Sequence, residues 1–327
     1  MQYKETKGIS QEEETLLRNE IENLEDHEID LTLDNGNHVK VKISFKVELT
    51  MLDGKVVNAL TNTNSTQSCN VCSAKPSEMN NLLLIRKKVP NEKALTLGLS
   101  SLHCWIRTFE YLLHLGYKSE IKKFQARTQE EKDSVKRKKG EIKDRFRAEL
   151  SLLVDSPRQG FGNTNTGNTA RRAFSSAEKF GDIIDVEPDI IVQLRNILKA
   201  VNSCFKLNNE KFRAYCFETS ELLVKRYGWY TIPPSVHKLL EHGHQIAEFF
   251  DLPIGYYSEE AQESQHKEIR NARLSHSCKI SRKNTMENRY HYMMIRTDPV
   301  ILSISFIKHK SFEGNPPEDG VKNLLDD

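Results

Sequence analysis

One pair of cysteines and one pair of histidines constrain the fold of this 327-residue chain more than any other feature. Cys69 and Cys72 have two residues between them, a spacing that lets two thiolates in a turn bind one face of a tetrahedral zinc ion. Two more ligands are required, and His237 and His242 have the His-x4-His spacing of many zinc sites. If these four residues bind one ion, they join two segments more than 160 positions apart, and the zinc is structural.

Other readings of these residues stay open at this point. The adjacent His103 and Cys104 could supply the second pair of ligands, and His244 competes with His242. The two cysteines could also be buried free thiols that bind no metal.

The composition is that of a folded protein from a reducing compartment. Hydrophobic residues make up 37% of the chain, enough for a substantial core, and six cysteines are too few for a disulfide scaffold. No window approaches the roughly 18 consecutive apolar residues of a spanning helix, and the N-terminus lacks a signal pattern, so a soluble, non-secreted protein is expected. The net charge of +2 by itself predicts no particular partner.

The hydrophobic pattern predicts helices in most of the chain and strands only near its start. Residues 10–25 have a Ser cap and helical spacing, whereas residues 28–59 alternate with period two around the turn Asp34-Asn35-Gly36-Asn37 and predict a hairpin. A loop is expected at 156–170 and an unpacked polar tail from about 307. Further helices are expected at 93–116, 118–152, 186–202, 209–227 and 234–250.

Two acidic residues near element ends are candidates for a divalent-metal site. Asp53 follows the long alternating segment, and Glu263 lies in a helix expected to begin at Ser258. Carboxylates from different elements can hold Mg²⁺ or Mn²⁺ for phosphodiester chemistry. Taken alone, Asp53 is also a common turn residue before Gly54, and Glu263 is also an ordinary exposed helix glutamate.

A local basic excess follows Glu263. Residues 265–289 contain seven Lys or Arg and two Glu. The net charge of the whole chain, only +2, does not reveal this local excess. Lys267, Arg270 and Arg273 are therefore candidate contacts to a nucleic-acid backbone, although solvated helices often have this balance.

Taken together, four segments resemble a known family. HEIDLTLDNGNHVKVKISFKVELTMLDGK, SCNVC, VHKLLEH and GYYSEEAQESQHKEIRNAR are similar to the catalytic core shared by Transib transposases and the recombination-activating protein of V(D)J recombination. The resemblance covers residues 10–290, is weak in identity, and depends mainly on the order and spacing of the motifs. In that family a DDE active site lies on an RNase H-like fold, with a zinc site in a long helical insertion.

The resemblance assigns roles to individual residues. Asp53 matches the second catalytic Asp, Glu263 matches the catalytic Glu, and Cys69, Cys72, His237 and His242 match the zinc ligands. The first catalytic Asp has no counterpart, since Asp26, Asp30 and Asp34 do not match its position. The resemblance thus implies an N-terminally truncated core that is inactive as an isolated chain and has an uncovered hairpin face.

The expected fold is α+β and mostly helical, with an incomplete RNase H-like core and a long zinc-stapled helical insertion. Four parts are expected: a partial core at 1–75, the insertion at 76–250, a core helix with Glu263 and the basic segment at 251–290, and an extension with a flexible end at 291–327.

The expected function is that of a transposon-derived DNA transposase or recombinase core fragment of DDE endonuclease lineage, located in the nucleus. Structural zinc is the expected cofactor, with Mg²⁺ or Mn²⁺ bound only if the active site is completed. DNA and either a second copy or an accessory recombinase subunit are the expected partners, with no membrane. The alternative is a domesticated, non-catalytic zinc-containing module that binds DNA or protein.

Overall fold

The computed structural model describes residues 7–33, 35–52, 54–158, 162–278, 280–301, 303 and 318–326, with the backbone alone for 261–264. Its architecture is mostly helical, 60% helix and 6% strand, and so α+β with very little sheet. The residues group into two compact units, Met1–Tyr257 with Leu324–Asp327, and Ser258–Asn323. In the part of the chain that is described, no helix is both long and apolar enough to cross a membrane.

The first unit contains eleven helices and two small hairpins within the described residues. The hairpins are β1 (His27–Thr32) with β2 (His38–Ile43), and β3 (Pro157–Arg158) with β4 (Gly162–Asn163). A short 3-10 helix covers Ile254–Tyr257. The helices are α1 (Lys7–Glu22), α2 (Gly54–Leu60), α3 (Leu82–Ile85), α4 (Glu92–Thr96), α5 (Ser101–Tyr117), α6 (Gln129–Leu150), α7 (Gly167–Ser175), α8 (Ala177–Ile184), α9 (Pro188–Val201), α10 (Asn209–Tyr227) and α11 (Pro234–Phe249).

An aromatic cluster forms the centre of this unit. Phe109 of α5, Phe146 of α6, Phe174 of α7 and Phe180 of α8 are fully buried, with ring centroids 5.4 to 6.0 Å apart in the contacting pairs. Such edge and tilted arrangements add to the hydrophobic gain of burying four rings. Helix α5 is thus the element around which α6, α7 and α8 pack.

The predicted helix at 93–116 is divided in two. Gly98 has a φ of +72°, a left-handed conformation that ends α4, and the side chain of Ser100 then caps α5 by accepting from the His103 amide. The predicted helix at 118–152 begins only at Gln129, where Thr128 and Glu131 form a capping box. The helices predicted at 186–202, 209–227 and 234–250 are confirmed to within a few residues.

The first hairpin is shorter than predicted. Ile29 pairs with Val41 and Leu31 with Val39, but β2 ends at Ile43, and residues 54–60 are helical. Both strands are largely exposed, and among the described residues no third strand pairs with them. Without a neighbouring strand, the alternating residues after Ile43 have no ladder to join.

The chain's final residues return to the first unit. Leu324 and Leu325 are buried, and Leu325 forms an antiparallel bridge with Leu207. The expectation of an unpacked tail from about 307 is therefore wrong for these last residues, because their leucines are buried against the first unit. The part of that tail before residue 318 lies outside the described residues.

The second unit is a helical pair with a short final helix. It comprises α12 (Glu260–Ser275), α13 (Arg282–Arg296) and α14 (Asp319–Lys322). Tyr292 of α13 stacks on His276 at 4.8 Å and donates its hydroxyl hydrogen to Glu268 of α12 at 3.2 Å. These contacts fix the two long helices side by side.

Candidate metal centre

A tight turn after α2 presents the two cysteines. The Cys69 amide donates to the Ala74 carbonyl at 3.0 Å, and the Ser73 amide donates to the Cys69 carbonyl at 2.9 Å. Ser73 adopts a left-handed φ of +56°, which lets the chain reverse within five residues. Both thiols consequently point into the protein, and both are buried.

Helix α11 supplies the two histidines, His237 from its first turn and His242 from its middle. Positions five apart on an α-helix differ by about 140° around the axis, so the rings must converge through their own rotation. The centroids of His237 and His242 are 5.3 Å apart, and both side chains are buried. The Cys72 sulfur lies 3.4 Å from His237 Nε2.

The four donor atoms of Cys69, Cys72, His237 and His242 lie within 4.8 Å of one another. A tetrahedral zinc ion with sulfur ligands at about 2.3 Å and nitrogen ligands at about 2.1 Å brings such donors to comparable separations. This buried Cys2His2 cluster can therefore hold a metal such as zinc.

The hydrogen bonding of His242 fits a metal ligand. Its Nδ1 lies 2.9 Å from Gln245 Oε1, an acceptor, so Nδ1 carries the proton and Nε2 carries the lone pair. Nε2 is buried with no hydrogen-bond partner. A buried, unpaired acceptor is costly unless a cation binds it, and an outer hydrogen bond that fixes the tautomer is typical of zinc-bound histidine.

The two neighbouring thiols shift each other's pKa in opposite directions. The pKa of Cys69 is well below the ordinary value because the Cys72 thiol donates to its sulfur, an effect that outweighs its burial. The pKa of Cys72 is raised, by that same hydrogen bond and by burial. The turn thus already favours a thiolate, the form that binds zinc.

An ion-pair network holds the histidine helix against the segment that follows the cysteines. Glu241, adjacent to His242, is buried and accepts hydrogen bonds from Arg86 Nε at 3.1 Å and from the Ser220 hydroxyl at 2.6 Å. Arg86 also pairs with Glu221 and lies 4.0 Å above the ring of Phe217. The network joins α3, α10 and α11.

The side chain of Asn80 orients the loop before α11. The Asn80 side chain donates to the carbonyls of Gly228 and Tyr230 and accepts from the Ile232 amide at 3.0 Å. This loop leads directly into the first turn of α11, so Asn80 helps to place His237.

The structure distinguishes among the ligand alternatives that the spacing left open. His103 and Cys104 lie on α5, and the His103 ring contacts the Ser100 hydroxyl at 2.6 Å. His244 packs its ring against Phe217, 5.5 Å between centroids, and burial lowers its pKa to about 4. Neither His103, Cys104 nor His244 belongs to the metal cluster found among the described residues.

The acidic and basic candidates lie elsewhere in the chain. Asp53 is outside the described residues, and Glu263 belongs to α12, where only its backbone is described. Lys267, Arg270 and Arg273 are exposed on α12, and their spacing of three residues spreads them over about 120° of the helix surface.

Several residues that support the metal centre were not anticipated from the sequence, and they differ in how far a local signal could have found them. Gln245 follows His242 by three positions, the spacing at which helical side chains meet, so this partner was within reach of sequence reasoning. Arg86 and Ser220 carry no such local signal, since they reach Glu241 from 155 and 21 positions away.

Neither family models nor curated proteins give a match to this chain. The assignment of function therefore depends on the cluster and on the order of the motifs.

Proposed function

We propose that this chain is part of the catalytic core of a DNA transposase or recombinase, similar to Transib transposases and the V(D)J recombination-activating protein. The observation that carries the proposal is the convergence of Cys69, Cys72, His237 and His242 in one buried cluster. The same residues match the family's zinc ligands in order and spacing, with Glu263 following His242 on the next long helix.

In this proposal the zinc is structural. All four ligands are protein side chains and all are buried, so no open coordination position is needed for a substrate. The ion would join the Cys turn to α11 across 165 positions of sequence, and its binding energy would contribute to folding.

The remaining parts of the function are proposed from the same resemblance. The hairpin β1–β2 would belong to an RNase H-like sheet, which fits the exposed apolar side chains Ile29, Leu31 and Val39 along one face. Asp53 and Glu263 would hold Mg²⁺ or Mn²⁺ beside DNA in the nucleus. Lys267, Arg270 and Arg273 would contact its phosphates.

The zinc proposal is tested by elemental analysis of the purified chain beside the Cys69→Ser/Cys72→Ser variant. One equivalent of zinc is expected in the natural chain, with loss of both zinc and near-ultraviolet circular dichroism in the variant. A natural chain that is well folded but contains no zinc would overturn the assignment.

The DNA proposal is tested by fluorescence anisotropy over a range of salt concentrations. Replacing Lys267, Arg270 and Arg273 together by Gln should lower the salt dependence of binding by roughly 0.9 per lost phosphate contact. The matched control replaces Lys132, Lys136 and Arg147, three exposed cations of α6, and should leave it unchanged. Equal effects of the two variants would contradict the proposed surface.

The alternative, a non-catalytic binding module, shares the zinc cluster and α12 but needs no second metal. Electron paramagnetic resonance of Mn²⁺ separates the two. Mn²⁺ binding that is weakened by Asp53→Asn or Glu263→Gln supports the catalytic lineage, whereas DNA binding without any Mn²⁺ site supports the module.

A further inference from the structure

A hydrogen bond joins the helix of the metal cluster to a distant part of the first unit. Lys238 follows His237 in α11 and donates from Nζ to the Gly98 carbonyl at 2.8 Å, across 140 positions of sequence. Lys238 is half-buried, so its ammonium has lost part of its hydration and gains from this acceptor. A change in the position of α11 would therefore be felt at Gly98.

Gly98 packs against residues 50 and 51 with no room for a side chain. A Cβ at this position would overlap Thr50 Oγ1 and would lie 3.1 Å from the Met51 sulfur. The φ of Gly98 is +72°, which glycine adopts without strain. Both the backbone conformation and the close approach of residues 50 and 51 thus require glycine here.

The neighbouring residue Leu97 completes this contact. The Met51 amide donates to the Leu97 carbonyl at 3.1 Å, and Met51 itself has a left-handed φ of +56°. Leu52 packs against the buried apolar cluster that Leu97 forms with α2. Residues 50–52 are thus held by Leu97 and Gly98.

Zinc would fix the position of Lys238 through the adjacent ligand His237. With the ion bound, His237 and His242 are tied directly to Cys69 and Cys72. Without it, these side chains are connected only by weaker contacts, such as the one of 3.4 Å between Cys72 Sγ and His237 Nε2. Lys238 should therefore be held more firmly in the zinc-loaded chain, and this step rests on the zinc proposed above.

We propose that zinc bound at the cluster orders residues 50–52, with Lys238 and Gly98 as the positioning residues that connect the two. Asp53 is the next residue in the sequence, and the resemblance assigns it a divalent metal ion. The structural zinc would thereby control the segment that leads into a second metal site. The effect is local, so it differs from a general stabilisation of the fold.

Hydrogen–deuterium exchange of the full chain tests this proposal, with zinc content measured on the same sample. Removal of zinc by a chelator should speed exchange in residues 50–60 by about tenfold or more, as expected when a hydrogen bond from a charged group is lost. Residues 167–184, in α7 and α8, should keep their protection. Unchanged exchange at 50–60 after removal of zinc overturns the proposal, whereas a chain that binds no zinc refutes the metal assignment on which it rests.

A zinc-loaded variant separates this local ordering from unfolding of the metal-free chain. Lys238→Met should retain one equivalent of zinc and the protection of the cysteine turn, residues 67–75, yet exchange about tenfold faster at residues 50–60. The matched control is Lys225→Met, at an exposed lysine of α10, which should leave this exchange unchanged. Equal exchange at 50–60 in the two variants would refute the role of Lys238.

Gly98→Ala tests the same connection from its other end. The added methyl group displaces Thr50, so exchange at residues 50–60 should again be faster. Because coupling between two sites is reciprocal, zinc affinity should also fall by about fivefold or more in chelator competition. The control is Gly162→Ala, which has the same φ of +72° but whose Cβ would meet no atom within 4 Å. Equal zinc affinities in the two variants would show that Gly98 has no part in the connection.

Discussion

Replacing Arg86 by Met should destabilise the chain far more than breaking an ordinary surface ion pair. The carboxylate of Glu241 is 2% exposed and has two side-chain partners, Arg86 and the Ser220 hydroxyl. Arg86→Met removes the cationic partner. The buried carboxylate of Glu241 then keeps its negative charge with a single hydrogen bond, from the Ser220 hydroxyl. Such a loss costs about 3–5 kcal/mol, and the remaining bond to Ser220 favours the lower end.

Replacing the other member of the ion pair, Glu241, should lower the free energy of unfolding by less. Glu241→Gln removes the buried charge and keeps the side-chain volume, while Arg86 retains Glu221 on the exposed side. A loss of about 1–2 kcal/mol is expected, close to that of a hydrogen bond to a charged group. Because the double variant contains no unpaired carboxylate, it should be more stable than the sum of the single losses predicts.

Urea unfolding of the zinc-loaded chain, followed by circular dichroism, measures these differences. The matched control is Arg226→Met, which breaks an exposed pair with Asp189 and should cost less than about 1 kcal/mol. Competition with a chromophoric chelator should also show weaker zinc binding in Arg86→Met, since Glu241 adjoins His242. If Arg86→Met and Arg226→Met cost the same, or if the double variant is additive, the network has no special role.

Three further substitutions test the metal centre, the core and a buried carboxylate. Gln245→Leu should lower zinc affinity about 10–100-fold in chelator competition, because the hydrogen bond between Gln245 and the zinc-binding His242 is lost. The control Gln193→Leu should leave zinc affinity unchanged. Phe180→Ala should lower the free energy of unfolding in urea by about 3–5 kcal/mol, since the ring is fully buried. The control is Phe205→Ala, at a half-exposed ring, and an equal loss there would contradict this reasoning. Burial would raise the pKa of Asp155, but hydrogen bonds from Lys139 and Asn165 hold it below the ordinary value of 3.8. Asp155 therefore stabilises the fold above pH 3.8 and loses this effect as the pH falls through the lower folded value, so Asp155→Asn should flatten stability against pH in that range. An unchanged acid profile would show that Asp155 makes no such contribution.

The long helices were predictable because their signals are local. Proline at the first position and regular apolar spacing define α9, and an Asn cap begins α10. The cysteine turn and the His-x4-His pair were also visible as spacings, since metal ligands from one segment must lie within a few residues of each other. The sequence alone therefore determined the helical class and the residue types of the metal centre.

Only the tertiary structure decided which of these signals act together. His242 and His244 are two positions apart on α11, so their side chains leave the helix in directions about 160° apart. Packing places the first beside Cys69 and the second against Phe217. The alternating pattern continues after Ile43, but no strand among the described residues lies alongside to extend the ladder. The contacts of Arg86 with Glu241 and of Lys238 with Gly98 likewise join segments distant in sequence, whose meeting depends on how the helices pack and not on local pattern.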